Sequence, residues 1–269
     1  MRFLRFSIIW IYALIIFIPL LVVIESSFKS LADLYTNPLL PSRQMNLAAY
    51  QTLISQVPLL HYFRNSFIVT VATIVIVLWC SSMIAFGILR LPRILSAIIY
   101  GVFSLGMMIP TQVNMIPVFL ELSHLHIIDT LYGLIFVESA FLLPVAVFII
   151  GGFMRTLQKE LLEAAWIDGA NEWQMFFRIA VPLSTPSIAS AAIFCSVIVW
   201  NDLLFPLLLL KSSSNWTIPL ALLSFEGQYQ TNYPVIFAGV LLASIPMVVL
   251  YVFLQRYFIA GITAGAIKG

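Results

Sequence analysis

The chain of 269 residues has few charged side chains and almost no cysteine. Only 9% of its residues are Asp, Glu, Lys or Arg, while 62% are hydrophobic. Ordinary globular domains carry about a quarter charged residues, so this supply cannot cover a surface that faces water. Cys80 and Cys195 both fall inside apolar runs, which excludes a disulfide framework and indicates small buried side chains. The composition is that of an integral membrane protein.

Several kinds of chemistry lack their residues. No Gly-x-x-x-x-Gly-Lys-Ser/Thr loop is present, so the chain cannot bind ATP by that route. His124 and His126 are close in sequence, but no third ligand is placed by spacing, and we expect no metal site. The net charge of +2 gives no indication of nucleic-acid binding, and no nucleic-acid partner is expected.

Long apolar runs fill the space left by the missing charge. A bilayer core about 30 Å thick needs roughly 20 apolar residues per helical span. Six runs qualify, approximately 7–24, 63–89, 94–120, 131–153, 181–210 and 234–259. Pro110, Pro117 and Pro206 lie inside two of them, where neighbouring helices can satisfy the backbone groups that proline frees. The sequence predicts an all-α integral membrane protein of six transmembrane helices.

The predicted organisation is one membrane domain over 1–269. It begins with the first span and an external loop (1–62), continues through five spans (63–259) with a charged loop at 154–180, and ends in a tail (260–269). The first run follows Arg2 and Arg5 as a signal peptide would, but it is long for one and lacks a small-residue cleavage site, so we expect a retained helix.

The basic residues are distributed unevenly across the predicted membrane. With the amino terminus in the cytoplasm, the outer side holds only Lys29, Arg43, Arg64 and Lys211. The inner side then holds Arg2, Arg5, Arg90, Arg93, Arg155, Lys159, Arg178, Arg256 and Lys268. This bias follows the positive-inside rule and predicts that both termini are cytoplasmic.

The charged loop is expected to contain two short helices. Thr156 is a candidate cap for a helix over 157–168, and Gly169 is suited to the left-handed conformation that follows a helix end. Asn171 with Gln174 three residues later predicts a capping box that starts the second helix.

One face of that second helix is aromatic. Trp173, Phe176 and Phe177 project from it, and the loop itself offers nothing to cover them. Such a face is typical of an amphipathic helix that docks into a groove on a partner protein, and equally of one that dips into lipid headgroups. The pattern alone leaves both open.

The same loop resembles the signature loop of ABC importer permeases. That signature is Glu-Ala-Ala, three residues, Gly, nine residues, Ile-x-Leu-Pro, and here only its Leu is changed, to Val181. The resemblance implies two helices joined at Gly169, with the second seated in a cleft of a cytoplasmic ATPase. Glu163 would lie at the ATPase surface, and Ala164 and Ala165 would allow close packing. We expect ATPase coupling by Glu163, Ala164, Ala165, Asp168, Gly169, Trp173, Phe176 and Phe177.

Further motifs resemble the carbohydrate branch of this family, in particular its maltose-type permeases. They are Asn65-Ser66, Met108-Ile109-Pro110, Ile116-Pro117, Asp129-Thr130, Trp200-Asn201-Asp202 and the ending 261–269. In the family the ending reaches toward the ATPase dimer interface. The resemblance therefore predicts an ATPase contact for Thr263, Gly265 and Lys268.

Polar groups at membrane depth are costly and normally face a cavity or a partner. The candidates for a sugar pathway are Asn201, Asp202, Glu138, Gln112 and Asn114, because carboxylates and amides hydrogen-bond sugar hydroxyls. The alternative is that these groups hydrogen-bond between helices or to a partner subunit.

Together these observations predict a non-catalytic permease subunit of an ATP-driven carbohydrate importer in a bacterial or archaeal plasma membrane. The resemblance implies three protein partners besides the lipid bilayer: a second permease subunit, a cytoplasmic ATPase dimer that binds ATP and Mg²⁺, and an extracytoplasmic sugar-binding protein. This chain itself is expected to bind no cofactor. A secondary transporter or a membrane-embedded lipid enzyme is the alternative, but neither accounts for the charged loop.

Overall fold

The computed structural model describes residues 2–38, 40–41, 45–56, 58–225 and 231–266. Within these ranges, four helices are long and apolar enough to cross a membrane. They are α1 (Arg2–Ser26), α4 (Leu59–Arg90), α7 (Leu131–Met154) and α14 (Tyr233–Ala266). Two bent helix pairs raise the number of spans to six if each pair is one span, which agrees with the predicted all-α membrane architecture.

The first bent pair lies in the third apolar run. Helix α5 (Arg93–Gly106) is followed by a short 3-10 helix (Thr111–Asn114) and α6 (Met115–His124), and the axis bends by 83° between them. Pro110 stands immediately before the 3-10 helix and has no backbone N–H to continue α5. The apolar pattern of the run 94–120 is continuous, but the helix within this run is interrupted.

The second bent pair joins the charged loop to the fifth apolar run. Its elements are α9 (Glu172–Met175), a π-helical turn (Phe176–Ala180), α10 (Val181–Leu183) and α11 (Thr185–Asn201). The axis bends by 72° before α11, and a proline stands in the first turn of both α10 and α11, where its missing N–H costs nothing. After a break at 202–203 the chain continues as α12 (Leu204–Leu209).

The remaining helices are short. They are α2 (Leu31–Thr36), α3 (Ala48–Gln56), α8 (Lys159–Ile167), a 3-10 helix at Ser213–Asn215 and α13 (Ile218–Leu223).

The chain divides into two compact units. The first comprises Met1–Phe63 and Thr217–Pro246, and its core is formed by Ala49, Leu53, Val235 and Ala238. In this unit Lys29 is buried, yet its ammonium group donates to the carbonyls of Asn37 and Pro38 at 3.1 and 3.2 Å and pairs with Glu25 at 3.2 Å. All three of its donors therefore have partners, as a buried cation requires.

The second unit comprises Arg64–Trp216 and Met247–Gly269. Helix α7 is central to it, because α5, α11 and α12 all pack against this helix. A hydrophobic cluster at the end that carries the charged loop includes Phe86, Ile150, Met154, Leu162, Met175 and Phe176. The charged loop is thus attached to the spans by buried side chains of α8, α9 and the π turn.

Candidate functional site

The start of the charged loop differs from the expectation. Helix α8 begins at Lys159 after Gln158, and Gln158 makes no side-chain cap. Thr156 does not cap α8, because α8 begins three residues after it. Its hydroxyl donates instead to the carbonyl of Phe153 at the end of α7, at 2.8 Å, and the predicted cap at Thr156 is wrong.

The turn at Gly169 is confirmed. Its φ of +84° lies in the left-handed region. The N–H of Ala170 donates to Ala165 at 2.9 Å and that of Gly169 to Trp166 at 3.0 Å, which satisfies carbonyls at the end of α8. This glycine therefore ends one helix and positions the next.

The predicted capping box is confirmed as well. The amide of Gln174 donates to the side chain of Asn171, and the amide of Asn171 donates to the side chain of Gln174, each at 2.9 Å. Helix α9 then continues through the π turn and α10 as far as Leu183. The second helix of the loop is therefore directly continuous with the fifth span up to the 72° bend.

The aromatic face is only partly as predicted. Trp173 and Phe177 are exposed and stack with ring centroids 6.0 Å apart. Phe176 is 3% exposed and packs against Phe86 of α4 at 5.5 Å, inside the hydrophobic cluster. The expectation that Phe176 is available to a partner is wrong, because the spans of its own chain cover it.

Two exposed apolar residues were missed by the sequence analysis. Trp166 is 68% exposed and Ile167 is 82% exposed, at the end of α8. Together with Trp173 and Phe177 they form what we call the apolar loop surface. The available signal was a pair of large apolar residues just before the Gly169 turn. Around them, Glu163, Ala164 and Asp168 are exposed and Ala165 is half-buried.

The second loop helix is also attached to α4. The guanidinium of Arg90 donates to the carboxylate of Glu172 at 2.8 Å, which joins the end of α4 to the first residue of α9. Phe177 lies against Trp79 of α4 with ring centroids 5.8 Å apart. Helix α9 is therefore attached to α4 as well as to the fifth span.

The tail residues are placed only in part. Thr263 and Gly265 lie within α14, which continues as far as Ala266. Lys268 lies outside the described residues. The ATPase contact expected of these residues stays a prediction.

The two carboxyl groups predicted to lie at membrane depth come close to each other. Glu138 of α7 is 3% exposed, and its side chain lies beside that of Asp202. Asp202 also accepts the backbone N–H groups of Leu204 at 3.2 Å and Phe205 at 3.1 Å, so it caps the start of α12. The pair thus joins α7 to the break between α11 and α12.

The other three candidates for the sugar pathway do not belong to this carboxyl pair. The side-chain amide of Asn201 donates to the carbonyl of Val197 in its own helix at 2.8 Å. Gln112 is exposed and Asn114 is half-buried, both in the 3-10 helix at the first bend. That the five polar residues line a sugar pathway stays a prediction.

Asp129 and the residues hydrogen-bonded to it form a polar cluster in the same unit, at the end of α7 opposite the charged loop. We call it the outer polar cluster. The carboxylate of Asp129 accepts the backbone N–H groups of Lys211 at 2.8 Å and Ser212 at 2.9 Å, and the hydroxyl of Ser212. The amide of Asn215 donates to the carbonyl of Asp129 at 2.6 Å. Burial raises the pKa of Asp129, but these hydrogen bonds outweigh it and lower the pKa to about 2.

Asn65 fixes the same segment from α4. Its side-chain amide donates to the carbonyls of Ser214 at 2.9 Å and Trp216 at 3.0 Å. The motifs Asn65-Ser66 and Asp129-Thr130 resemble the family, but the sequence gives no physical role for them. The structure gives one, because the first residue of each motif holds the segment 211–216.

The two histidines are not part of a larger donor set. His124 ends α6, and His126 is exposed with a φ of 56°. Over the residues that the structure covers, no three His, Cys, Asp or Glu side chains come together in a way that could hold a metal ion.

Apolar helices, bent spans and a capped loop that continues into the fifth span are the architecture of a polytopic membrane protein. The chain belongs to the family described as binding-protein-dependent transport system inner membrane component, which matches residues 77–264. It is similar to the melibiose/raffinose/stachyose import permease protein MelC of Bacillus subtilis, 32% identical over 254 residues, 94% of this chain and 92% of that one. It is equally 32% identical to the multiple sugar-binding transport system permease protein MsmG of Streptococcus mutans, covering 99% of this chain and 97% of that one.

Solved structures show the same fold. A chain of a bacterial ABC transporter involved in the import of the acidic polysaccharide alginate superposes with a TM-score of 0.81 at 21% identity, over 96% of each chain. A chain of the alginate transporter in complex with its alginate pentasaccharide-bound periplasmic protein superposes with a TM-score of 0.71 at 15% identity, over 95% of this chain and 92% of that one.

Proposed function

We propose that this chain is one permease subunit of an ATP-driven carbohydrate importer and forms half of the translocation pathway. The support is family membership combined with the names of relatives that match nearly the whole chain, which are sugar permeases. The chain forms no covalent bond in this role. It moves between conformations that open the pathway to one side or the other.

The apolar loop surface docks onto a cytoplasmic ATPase in this proposal, and the observation that supports it is the exposure of its side chains. Trp166, Ile167, Trp173 and Phe177 expose large apolar area beside the charged Glu163 and Asp168. Exposed apolar patches with a charged rim are typical of protein interfaces, and buried aromatic anchors dominate their binding energy. ATP and Mg²⁺ belong to that partner chain.

Movement of the ATPase reaches the spans through rigid connections. Helix α9 is continuous with α10, and it is joined to α4 by the Arg90–Glu172 pair. The buried Met175 and Phe176 hold it in the hydrophobic cluster. The loop therefore transmits displacement as a body and does not absorb it as a flexible linker would.

Two further protein partners complete the proposal. A second permease chain forms the other half of the pathway, and an extracytoplasmic sugar-binding protein delivers the substrate, as the family description implies. The uneven distribution of basic residues supports a cytoplasmic side for the charged loop and both termini, and the proposed membrane is a bacterial or archaeal plasma membrane. The outer polar cluster then faces the extracytoplasmic side.

The test is co-purification of the tagged chain with the ATPase and second permease of the same organism. Trp173→Ala and Ile167→Ala are expected to weaken ATPase binding by about 2 kcal/mol, a roughly 30-fold loss of affinity, because each removes an exposed apolar anchor. Trp10→Ala is the matched control, since Trp10 is 66% exposed but lies in α1. This control should retain the ATPase.

The outcomes separate docking from function. Equal ATPase recovery with Trp173→Ala and Trp10→Ala would contradict docking through the apolar loop surface. If the wild-type chain recovers no ATPase at all, the ATP-driven importer itself is wrong. Uptake of labelled oligosaccharides by cells with and without the chain tests the carbohydrate assignment.

A further inference from the structure

An arginine just after α7 lies on an aromatic ring of α5. The guanidinium of Arg155 is 3.7 Å from the centroid of the Tyr100 ring. The ring is itself fixed, because its hydroxyl donates to the carbonyl of Phe148 at 3.3 Å and its Cε2 atom would be 3.3 Å from a Cβ added at Gly151. A cation over the face of a ring is attracted by the negative charge of that face. Arg155 is therefore held in place, although it is exposed.

The donors of this guanidinium remain free for a ligand. Stacking on a ring uses the flat face of the group and leaves its five N–H bonds in the plane around it. Over the part of the chain that the structure describes, the ion pairs are Lys29–Glu25 and Arg90–Glu172, so Arg155 has no carboxylate partner. A fixed, uncompensated guanidinium is suited to binding an anion.

A second arginine lies near the first. A Cβ added at Gly106 of α5 would be 3.4 Å from Pro144 of α7. Tyr100 meets Gly151 further along, so the two helices run antiparallel and the start of α5 lies beside the end of α7. Arg93 is the first residue of α5, two helical turns or about 10 Å from Tyr100 on the same face. It is exposed and takes part in neither of the two ion pairs.

The surface becomes apolar toward the middle of the membrane. Phe148 stands on the same face of α7 as Arg155, two turns before it, and is 46% exposed. Its ring stacks on that of Tyr100 with centroids 5.7 Å apart. A ligand that matches both ends of this surface has an anionic head and an apolar chain.

We propose that Arg93, Tyr100, Phe148 and Arg155 bind one anionic phospholipid, in the leaflet on the side of the charged loop. We call these four residues the lipid site. The phosphate accepts N–H groups of the Arg155 guanidinium, whose planar fork fits phosphate oxygens in pairs, and Arg93 is the second cation. An acyl chain lies along Phe148.

Charge and depth favour this occupant over others. A zwitterionic lipid fits less well, because its ammonium group would lie beside two cations that attract anionic headgroups. Tyr100 lies two turns inside α5, and Phe148 lies almost two turns before the end of α7. The site is therefore among the apolar residues of the spans, where lipid reaches it, and not on the charged loop.

Native mass spectrometry of the purified full chain in detergent measures the binding of single lipid molecules. Phosphatidylglycerol should bind more tightly than phosphatidylcholine with the same acyl chains, because only the first carries a net negative charge. Arg155→Gln should weaken phosphatidylglycerol binding roughly tenfold, since it removes hydrogen bonds between charged groups. Arg178→Gln, at an exposed arginine of the π turn, is the matched control and should keep the wild-type affinity.

Substitution of Tyr100 separates this site from a general attraction to positive charge. Tyr100→Leu removes the ring under Arg155 but no charge, and the affinity for phosphatidylglycerol should fall about fivefold. Tyr100→Phe keeps the ring and should keep the affinity. Equal binding by these two variants would overturn the site. If Tyr100→Leu does not fold, the comparison of Arg155→Gln with Arg178→Gln decides, and equal losses there would overturn it as well.

The remaining outcomes identify other occupants. Equal wild-type affinities for the two lipids would contradict recognition of an anionic headgroup. Inorganic phosphate should not displace phosphatidylglycerol, because it has no chain to lie along Phe148, and displacement would assign the arginines to a free anion. If Arg155→Gln keeps its lipid affinity but no longer recovers the ATPase, the arginine faces a protein and the lipid site is wrong.

Discussion

At the scale of single residues, Asp129 shows how a carboxylate can organise backbone. It contacts Lys211, Ser212 and Asn215, which belong to a segment far away in sequence. Its own φ is 60°, a left-handed conformation that Asp tolerates better than most residues. The next residue, Thr130, caps α7 by accepting the N–H of Gly133 at 3.1 Å. Two adjacent residues thus fix a helix start and a distant loop.

Asp129→Asn is expected to destabilise the chain in detergent at neutral pH by about 1 kcal/mol. This is below the range for hydrogen bonds to buried charges, because the site is open to water. The pKa of Asp129 is lower in the folded chain than in the unfolded chain, so its stabilisation is present above about pH 4 and is lost as the pH falls toward about 2. The difference in melting temperature between variant and wild type should therefore shrink in acid.

Glu121→Gln is the control for that measurement, since it removes an exposed carboxylate near the end of α6, the helix that precedes Asp129. A melting difference that does not change with pH would show that the charge of Asp129 is not what stabilises the loop.

At the scale of elements, the charged loop is built from local signals that act in sequence. Gly169 ends α8, the Asn171–Gln174 capping box starts α9, and the π turn carries the helix on to Pro182. The N–H of Val181 reaches back to the carbonyl of Phe176, five residues earlier. These features fix the direction in which Trp173 and Phe177 face.

Gly169→Ala should destabilise this loop by about 1–2 kcal/mol, because an L side chain is strained at a φ of +84°. No atom lies within 4 Å of the added Cβ, so the cost is conformational and not a collision. Gly169→Asn should cost less, since Asn tolerates this conformation. Thermal unfolding and limited proteolysis of the loop in the purified chain provide the measurement.

The comparison variant for this series is Gly101→Ala in α5, a helical glycine that also has open space around it. Alanine favours helix there, so its stability should stay level or rise. Equal losses at Gly101 and Gly169 would argue against backbone strain as the cause.

At the scale of the whole molecule, the orientation proposed for the membrane can be tested with two exposed positions. Ser213→Cys lies in the segment held by the outer polar cluster, and Glu160→Cys lies in α8. In a background with Cys80 and Cys195 replaced by alanine, a membrane-impermeant maleimide should label Ser213→Cys in spheroplasts. It should label Glu160→Cys only in inside-out vesicles. The reverse pattern would invert the topology.

The sequence by itself determined the features whose signals are short in range. Apolar runs mark where helices meet lipid, because each span needs its own length of apolar chain. The Gly169 turn and the capping box were predictable because their partners lie within five residues along the chain. The family motif lies in this same loop, so its residue pattern alone was enough to locate the proposed coupling region.

Only the tertiary structure decided which side chains are covered and which polar groups meet. Phe176 is one residue from Phe177, yet packing against Phe86 of α4 removes it from the surface. Thr156 follows the end of α7 and is used there, not at α8. The pairing of Glu138 with Asp202, and of Asp129 with Ser212, depends on how separate helices are brought together. Such contacts leave no periodic trace in a sequence, because their energy arises only once the spans have packed.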